Sequence, residues 1–507
     1  MICDYILVNP PKLKFMQKKI DDACLGLGYI NAVAKTENSG MILDAYLNDW
    51  SVSETVNKII NHKPTVVGIS CNFYSSVPTT VEIVNELRHK GYKGHICLGG
   101  HGAFSCKENL LKFLDINSLC LGDGELAFKE LLKKIKDGTF SNNVDGYYFK
   151  SDDVIIDKYA KVQLIDIEKL PYPTRIYEES YPVRDAKALL NKRGTHCIST
   201  TRGCTYNCSY CDISTFYNKK RRVRTVDSVI EEIKHLIDET GIKSFVFSDD
   251  NFIGGTKEGR ARAIEFCNAI KRNNLDIEFI MEARVTDIFN DMLLPLIDAG
   301  LVHLNVGVES GCQRMLNTWK KGITVQQSEK AIEKLQSLGL SYNINFILYD
   351  MYTTLDELWQ NYDFFVKTRI VEFAELYMTL FENHLGVFSG TPIAKKLEKE
   401  GLLKNYTLDY ATEEEQRIFD KFHPIYRYEL IDNNMRYFVE NHNYWLRKIR
   451  KLIKDNEMDF YSYSTKAMRF LCLKCYKKSI ENGEKKIVDT ESLDKLIDKF
   501  KLIKNLA

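Results

Sequence analysis

The chain has 507 residues, of which 44% are hydrophobic and 27% charged, with 10 prolines, 28 glycines and a net charge of +1. That is more chain than one hydrophobic core organises, and its composition excludes a disordered or fibrous protein, so two or three globular domains are expected. No apolar run approaches the ~20 residues of a membrane helix, and MICDYILVNP lacks the pattern of a signal peptide; the expected address is cytoplasmic, with no membrane span.

Residues 1–150 alternate apolar runs with helical patterns: YILVNPP, a helix around LGYINAVAK, MILDAYL, a helix from Ser53, VVGISCN, a helix from Pro78, ICLGG, SLCLGDGE and a helix from Leu126. Such alternation predicts an α/β fold, a doubly wound parallel sheet that takes its ligand where Asn9-Pro10-Pro11, Ser70-Cys71-Asn72 and Gly99-Gly100-His101 converge. His101 reads as a packed or solvated loop residue. Residues 151–190 finish a strand pair and continue as an irregular connector, because Pro171 and Pro173 oppose any helix.

A second alternating series occupies 191–400. Its strands are CISTTRG, SFVFSDD, EFIMEAR, LVHLNVGVES, YNINFIL and ELYMTLF, with helices near 226–239, 257–273, 289–299, 324–338 and 354–368. These units predict a partial TIM-type (β/α)6 barrel. Residues 401–507 read as a mostly helical region without a strand series. Within it, 441–507 carry 16 Lys or Arg against 9 Asp or Glu, a mildly basic stretch of solvated helix faces. No zinc finger or helix-turn-helix is present, so nucleic acid is not a favoured partner.

The 14 cysteines of a chain without a secretory signal are expected as thiols, metal ligands or redox groups rather than disulfides. Cys204, Cys208 and Cys211, in TTRGCTYNCSYC, follow the first barrel strand, at the mouth where such barrels do chemistry. Three thiolates hold an iron-sulfur cube while leaving one iron open, with Gly203 permitting close backbone approach and Tyr210 shielding the group. Buried thiols or half of a zinc site are the alternatives. Cys472 and Cys475, three apart on a helical stretch, read as buried small apolar residues, with an auxiliary metal site as the alternative.

The spacing C-x3-C-x-aromatic-C resembles the motif of the radical S-adenosylmethionine (SAM) superfamily. The resemblance implies a 4Fe-4S cluster whose open iron binds SAM and which reductively cleaves it to methionine and a 5'-deoxyadenosyl radical, fed by an electron donor such as flavodoxin or ferredoxin. In similar proteins later strand ends meet SAM. Here those are Asp249, Asp250 and Asn251 in SDDN, Glu282 and Arg284 in the third strand, and Glu309 and Ser310 in NVGVES. Carboxylates suit an ammonium and ribose hydroxyls, and arginine suits a carboxylate, although acids at strand ends also cap helices. The fifth strand has NFILYDMYTT where many relatives have a Gly-Pro turn. The basic run Lys219 to Arg224 reads as a solvated loop face, with an anionic substrate or the carboxylate of SAM as the alternative partner.

Ser70-Cys71-Asn72, then 26 residues, then Gly99-Gly100 resembles the Ser-x-Leu and Gly-Gly elements of cobalamin-binding Rossmann-like domains, with Asn in place of Leu. The resemblance implies that Ser70, Asn72, Gly99 and Gly100 line the slot for the nucleotide tail of the cofactor. LVNPP, GLGYINAVAK, LDAYL and LGDGE extend it. The Asp-x-His-x-x-Gly motif that supplies a lower histidine ligand is absent, since DDACLGLG at Asp21 to Gly28 has no histidine. The whole therefore resembles radical SAM enzymes with an N-terminal cobalamin-binding domain. That implies a methyltransferase acting at an unactivated carbon of a small-molecule or peptide substrate, through a 5'-deoxyadenosyl radical and methylcobalamin. Radical rearrangement or cyclisation without methyl transfer, and a non-enzymatic cobalamin sensor, are the rival readings.

Overall fold

The computed structural model describes residues 3–13, 24–151, 154–183, 186–289, 291–374, 379–406, 412–455 and 466–504. The chain opens with a seven-stranded sheet of β1 (Tyr5–Asn9), β2 (Gly40–Asp44), β3 (Val66–Ser70), β4 (His95–Gly99), β5 (Ser118–Cys120), β6 (Tyr147–Ser151) and β7 (Val154–Ile156), ordered β2-β1-β3-β4-β5-β6-β7. β1 to β5 pair in parallel, and β6 and β7 add an antiparallel edge. This sheet therefore continues past the boundary expected at residue 150. Strand order reverses between β1 and β3, so the following loops diverge there and leave a crevice. Ser70 and Gly99 are cross-strand partners at that edge. Of the DDACLGLG stretch, Asp21 to Ala23 lie outside the described residues.

The second unit begins with β8 (His196–Ile198) and the short strands β9 (Thr201–Arg202) and β10 (Arg222–Val223). It continues with β11 (Ser244–Phe247), β12 (Glu278–Arg284), β13 (Leu301–Glu309) and β14 (Ser341–Phe346). β8 and β11 to β14 form a parallel sheet ordered β14-β13-β12-β11-β8, while β9 and β10 make a separate antiparallel ribbon. The helices Val226–Thr240, Lys257–Arg272, Val325–Ser337 and Leu355–Thr368 start at Thr225, Thr256, Thr324 and Thr354. Each threonine hydroxyl accepts a hydrogen bond from a backbone N–H of the first turn, a cap worth about 1 kcal/mol. Of the expected sixth strand ELYMTLF, Glu375 to Met378 lie outside the described residues and Thr379–Glu382 is a helical turn.

The C-terminal region is mostly helical, as expected, and two short strands in it join one from just before residue 401 in a three-stranded antiparallel sheet. Its strands are β15 (Val387–Phe388), β16 (Leu403–Asn405) and β17 (Ile425–Tyr428), with β17 in the centre. At two to four residues each they are too short for alternation to register. The helix Glu413–Phe422 crosses back to the first domain, where Ile418 and Phe422 join the core that contains Ile6, Val8 and Ile69. Cys472 and Cys475 are buried among the apolar residues that pack the barrel against the C-terminal helices. Among the described residues no helix is long and apolar enough to cross a membrane.

The connector is bonded on both sides. Asn31, in the helix Leu25–Ala34, donates to Thr174 Oγ1 at 2.9 Å, while Arg175 reaches the carbonyl of Cys197 at 2.7 Å and Glu232 at 2.5 Å. Arg224 takes the other oxygen of Glu232.

Two histidines are buried in neutral form. Burial lowers His95 to about 3 and His442 to about 4 from the ordinary 6.5, and His442 Nε2 lies 2.6 Å from the carbonyl of Phe381. The unfolded chain binds these protons near 6.5 and the folded chain refuses them until far lower pH. Stability present above that value is therefore lost as pH falls, by about 1.4 kcal/mol per unit for each histidine. Between about pH 7 and about pH 5, wild type is expected to lose about 2 kcal/mol relative to His442→Gln, measured by urea unfolding.

Candidate active site

Cys204, Cys208 and Cys211 lie on the loop between β9 and the helix Asp212–Phe216. Cys208 is buried and the other two are partly exposed. The loop is pinned by its backbone: Ser209 N donates to the carbonyl of Trp319 at 2.8 Å, and Ile393 N donates to that of Ser209 at 3.0 Å. Gly203 has φ +84°, and a Cβ there would run into the carbonyl oxygen of Lys220. Tyr210 packs edge-on against Trp319.

The SDDN strand end braces this loop. Asp249, fully buried, accepts from the N–H groups of Thr200 and Thr201 at 2.7 and 2.8 Å and from the Thr200 hydroxyl. Asp250 accepts from Gly203 N at 2.8 Å, and Asn251 points its amide at Cys204 Sγ, 4.0 Å away. Burial raises the pKa of both carboxylates, and these hydrogen bonds oppose the rise.

Arg284 stands over the aromatic ring of Tyr206, 3.6 Å from its centroid, with Nη1 3.6 Å from Cys208 Sγ and Nη2 on the carbonyl of Lys321. Its Nε is buried without a partner among the described residues. Glu309 pairs with Lys321 at 2.6 Å, both nearly buried. Glu309 has φ +69°, and the β13–β14 register shifts beside it, so a bulge directs its carboxylate to this lysine. Glu282, beneath them, is pushed up to about 7 by burial, against hydrogen bonds from Asn305 and Asn345. Ser310 is turned inward, bonded to Asn361 Oδ1 at 3.0 Å and capping Cys312 N. Sequence reasoning missed Lys321, whose WKKG setting resembles any solvated turn.

At the first domain, the same sheet edge carries Ser70, Asn72, Gly99 and Gly100. A Cβ on Gly99 would meet nothing nearer than 3.7 Å, whereas one on Gly100, at φ +99°, would lie 2.5 Å from Asn72 Oδ1. Asn72 Nδ2 and Ser70 Oγ lie 3.4 and 3.9 Å from Cys24 Sγ. The two sets of residues are contiguous. His101, directly after Gly100, stacks on Phe216 of the helix that follows Cys211, with centroids 3.9 Å apart and planes 20° apart.

The basic run is solvated only at its start, where Lys219 and Lys220 are exposed; its arginines are engaged. Arg221 donates to the carbonyls of Asn251 and Phe252, Arg222 to Asp123 and the carbonyl of Ile165, and Arg224 to Glu232 and Ser228.

A doubly wound sheet with an open switch point, joined to a parallel α/β unit with three thiols at its mouth, defines a two-cofactor enzyme architecture. The family model of the radical SAM superfamily matches residues 198–365, and that of the B12 binding domain matches residues 24–132. The chain belongs to the radical SAM enzymes that carry a cobalamin-binding domain. It is 28% identical over 350 residues to an uncharacterized methyltransferase of Pyrococcus horikoshii, covering 68% of this chain and 73% of that one. It is 29% identical over 335 residues to the anaerobic magnesium-protoporphyrin IX monomethyl ester cyclase of Rubrivivax gelatinosus, covering 63% of this chain but only 57% of the cyclase. The solved structure of the cobalamin-dependent SAM radical enzyme OxsB with aqua-cobalamin superposes with a TM-score of 0.72 at 18% identity, over 99% of this chain and 80% of that one. At that identity the likeness speaks for the fold.

The cofactors of this family are a 4Fe-4S cluster, SAM and cobalamin, and the residues present fit them. Burial pushes the Cys211 thiol up to about 12, so it ionises only against a cation such as cluster iron. Arg284 and Asn251 direct N–H groups at the sulfurs of Cys208 and Cys204, as thiolate ligands require. Among the described residues no three His, Cys, Asp or Glu side chains converge as around a single ion. A cube, with its thiolates at separate corners, does not ask for that convergence. Beside Gly99 a Cβ would meet nothing nearer than 3.7 Å, space that suits the nucleotide tail of cobalamin, while at Gly100 a Cβ would press on Asn72 Oδ1 and the Cys71 carbonyl. Substituting Gly100→Ala is therefore expected to abolish cobalamin retention on desalting while iron content stays at the wild-type level.

Proposed function

We propose that this enzyme is a cobalamin-dependent radical SAM methyltransferase that methylates an unactivated carbon of a small-molecule or peptide substrate. The observation that carries the reading is the contiguity of the two cofactor sites through the His101–Phe216 stack. The relative named as a methyltransferase supports it. When bound, the cofactors supply a 5'-deoxyadenosyl radical to take a substrate hydrogen and a cobalt-borne methyl group to replace it.

The chain's own residues orient and enclose that chemistry. Cys204, Cys208 and Cys211 hold the cluster. Arg284, with its free Nε, takes the carboxylate of SAM, and Glu309 its amino group or ribose. Asp249, Asp250 and Ser310 hold the surrounding backbone, and Asp250 also faces the cluster loop. Ser70, Asn72, Gly99 and Gly100 line the cobalamin slot. Bringing both reactive centres to one cavity turns an encounter of three molecules into a single oriented step. Electrons come from a small donor such as flavodoxin or ferredoxin, in keeping with a cytoplasmic address.

Anaerobic reconstitution tests the reading. Cobalamin retention, SAM cleavage to 5'-deoxyadenosine and a product heavier by one methyl group are expected. Rearrangement or cyclisation, the reading that the cyclase relative favours, predicts 5'-deoxyadenosine with an unmethylated product. Failure to cleave SAM at all removes both.

A further inference from the structure

Two stretches that stand apart in the sequence, LGDGE and the basic run, meet in the fold. Asp123 and Glu125 follow β5 on the ligand-bearing edge of the first sheet. Arg202 and Arg222 are direct cross-strand partners on the β9–β10 ribbon that leads into and out of the cluster loop. Two guanidiniums directly opposite one another repel, and the acidic pair of the other domain resolves this. Arg202 donates to Asp123 at 2.9 Å and to Glu125 at 2.7 Å, and Arg222 takes the other oxygen of Asp123. Asp123 and Glu125 are 4% and 2% exposed, so water screens these pairs little.

The contact is built from both sides. Ile165 N donates to Asp123 at 3.0 Å and the Ile165 carbonyl accepts from Arg222 at 3.0 Å. Arg202 lies over the Tyr29 ring of the first domain and Arg222 over that of Tyr217 in the barrel. Arg202 is two residues from Cys204, and Asp123 is three beyond the end of β5. The four-membered ion cluster therefore joins the cluster loop to the cobalamin-binding sheet by a short, rigid path.

We propose that Asp123, Glu125, Arg202 and Arg222 form an interdomain latch that sets the separation of cobalt and iron-sulfur cluster, which makes Arg202 and Asp123 positioning residues of the reaction. The proposal rests on the two-cofactor reading above. A paired, forked guanidinium fixes direction as well as distance, which a lysine in its place does not.

The test uses holoenzyme carrying Arg202→Gln, Asp123→Asn or Arg222→Lys, the last retaining charge in case the others destabilise the chain. The reduced cluster and cob(II)alamin are both paramagnetic, so their spin–spin splitting reports their separation. Full cofactor content with a weakened or broadened splitting, and methyl transfer reduced about tenfold or more, is the expected result, with Arg202→Gln and Asp123→Asn no worse together than singly. A wild-type splitting in Arg202→Gln and Asp123→Asn overturns the latch. So does loss of the cluster from Asp123→Asn, which lies in the other domain, because the contact then maintains the loop rather than the distance. If wild-type enzyme yields no methylated product, the proposed reaction fails while the splitting still decides the latch.

Discussion

Cys208→Ser is expected to reduce SAM cleavage to background and to remove most of the bound iron, while the fold survives with a loss of no more than about 1–2 kcal/mol. Of the three loop thiols it is the buried one, and it alone has the guanidinium of Arg284 3.6 Å from its sulfur. Serine keeps the volume but supplies a hydroxyl that does not ionise under these conditions, so a cube loses one of only three protein ligands. The neighbours Ser209 and Tyr210 keep their backbone bond to Trp319 and their ring packing, which is why stability changes little. Iron and sulfide content, 5'-deoxyadenosine formation and thermal unfolding measured on one preparation separate the two effects. A variant that retains iron and cleaves SAM would show that Cys208 is not a cluster ligand.

Glu232→Ala is expected to be the most destabilising single change in the barrel, by about 3–5 kcal/mol. Glu232 is 1% exposed on its side chain and lies between Arg175 and Arg224, at 8% and 6%. Removing it strands two buried cations that had shared one carboxylate. Arg175 is the only one of the three in the connector, and it also holds the Cys197 carbonyl at 2.7 Å, so the damage reaches the start of β8. Glu232→Gln keeps one acceptor oxygen, loses the charge and turns its amide N–H groups toward the other guanidinium, so it should fall between alanine and wild type. Replacing all three residues with methionine should recover much of the loss, because a buried ionic triad contributes little net stability over apolar residues of similar volume. Urea midpoints of the three variants check this order.

Periodicity carried the reading of the framework. EFIMEAR was legible as a strand because Phe279, Met281 and Ala283 face the helices while Ile280, Glu282 and Arg284 face inward, and β12 runs from Glu278 to Arg284 as expected. The cysteine loop was legible because its spacing is local. What escaped depends on partners distant in the chain. Asp249 looks like a ligand residue at a strand end, yet both its oxygens are engaged by Thr200 and Thr201, 49 and 48 positions earlier. Lys321 meets Glu309 only because a bulge turns Glu309 into the left-handed region. The basic run looks solvated until Asp123, 99 residues before Arg222, is brought against it.

The helix Glu413–Phe422 has a consequence for how the polypeptide is made. Ile418 and Phe422 complete a core otherwise built from residues 3–121, and the Phe422 carbonyl accepts from Asn109 at 3.1 Å. A domain whose last apolar contributors lie three hundred residues downstream leaves the ribosome with that patch bare. Vectorial synthesis therefore ends, for this chain, in a return to its beginning: the amino-terminal sheet waits, partly uncovered, until the barrel has been translated.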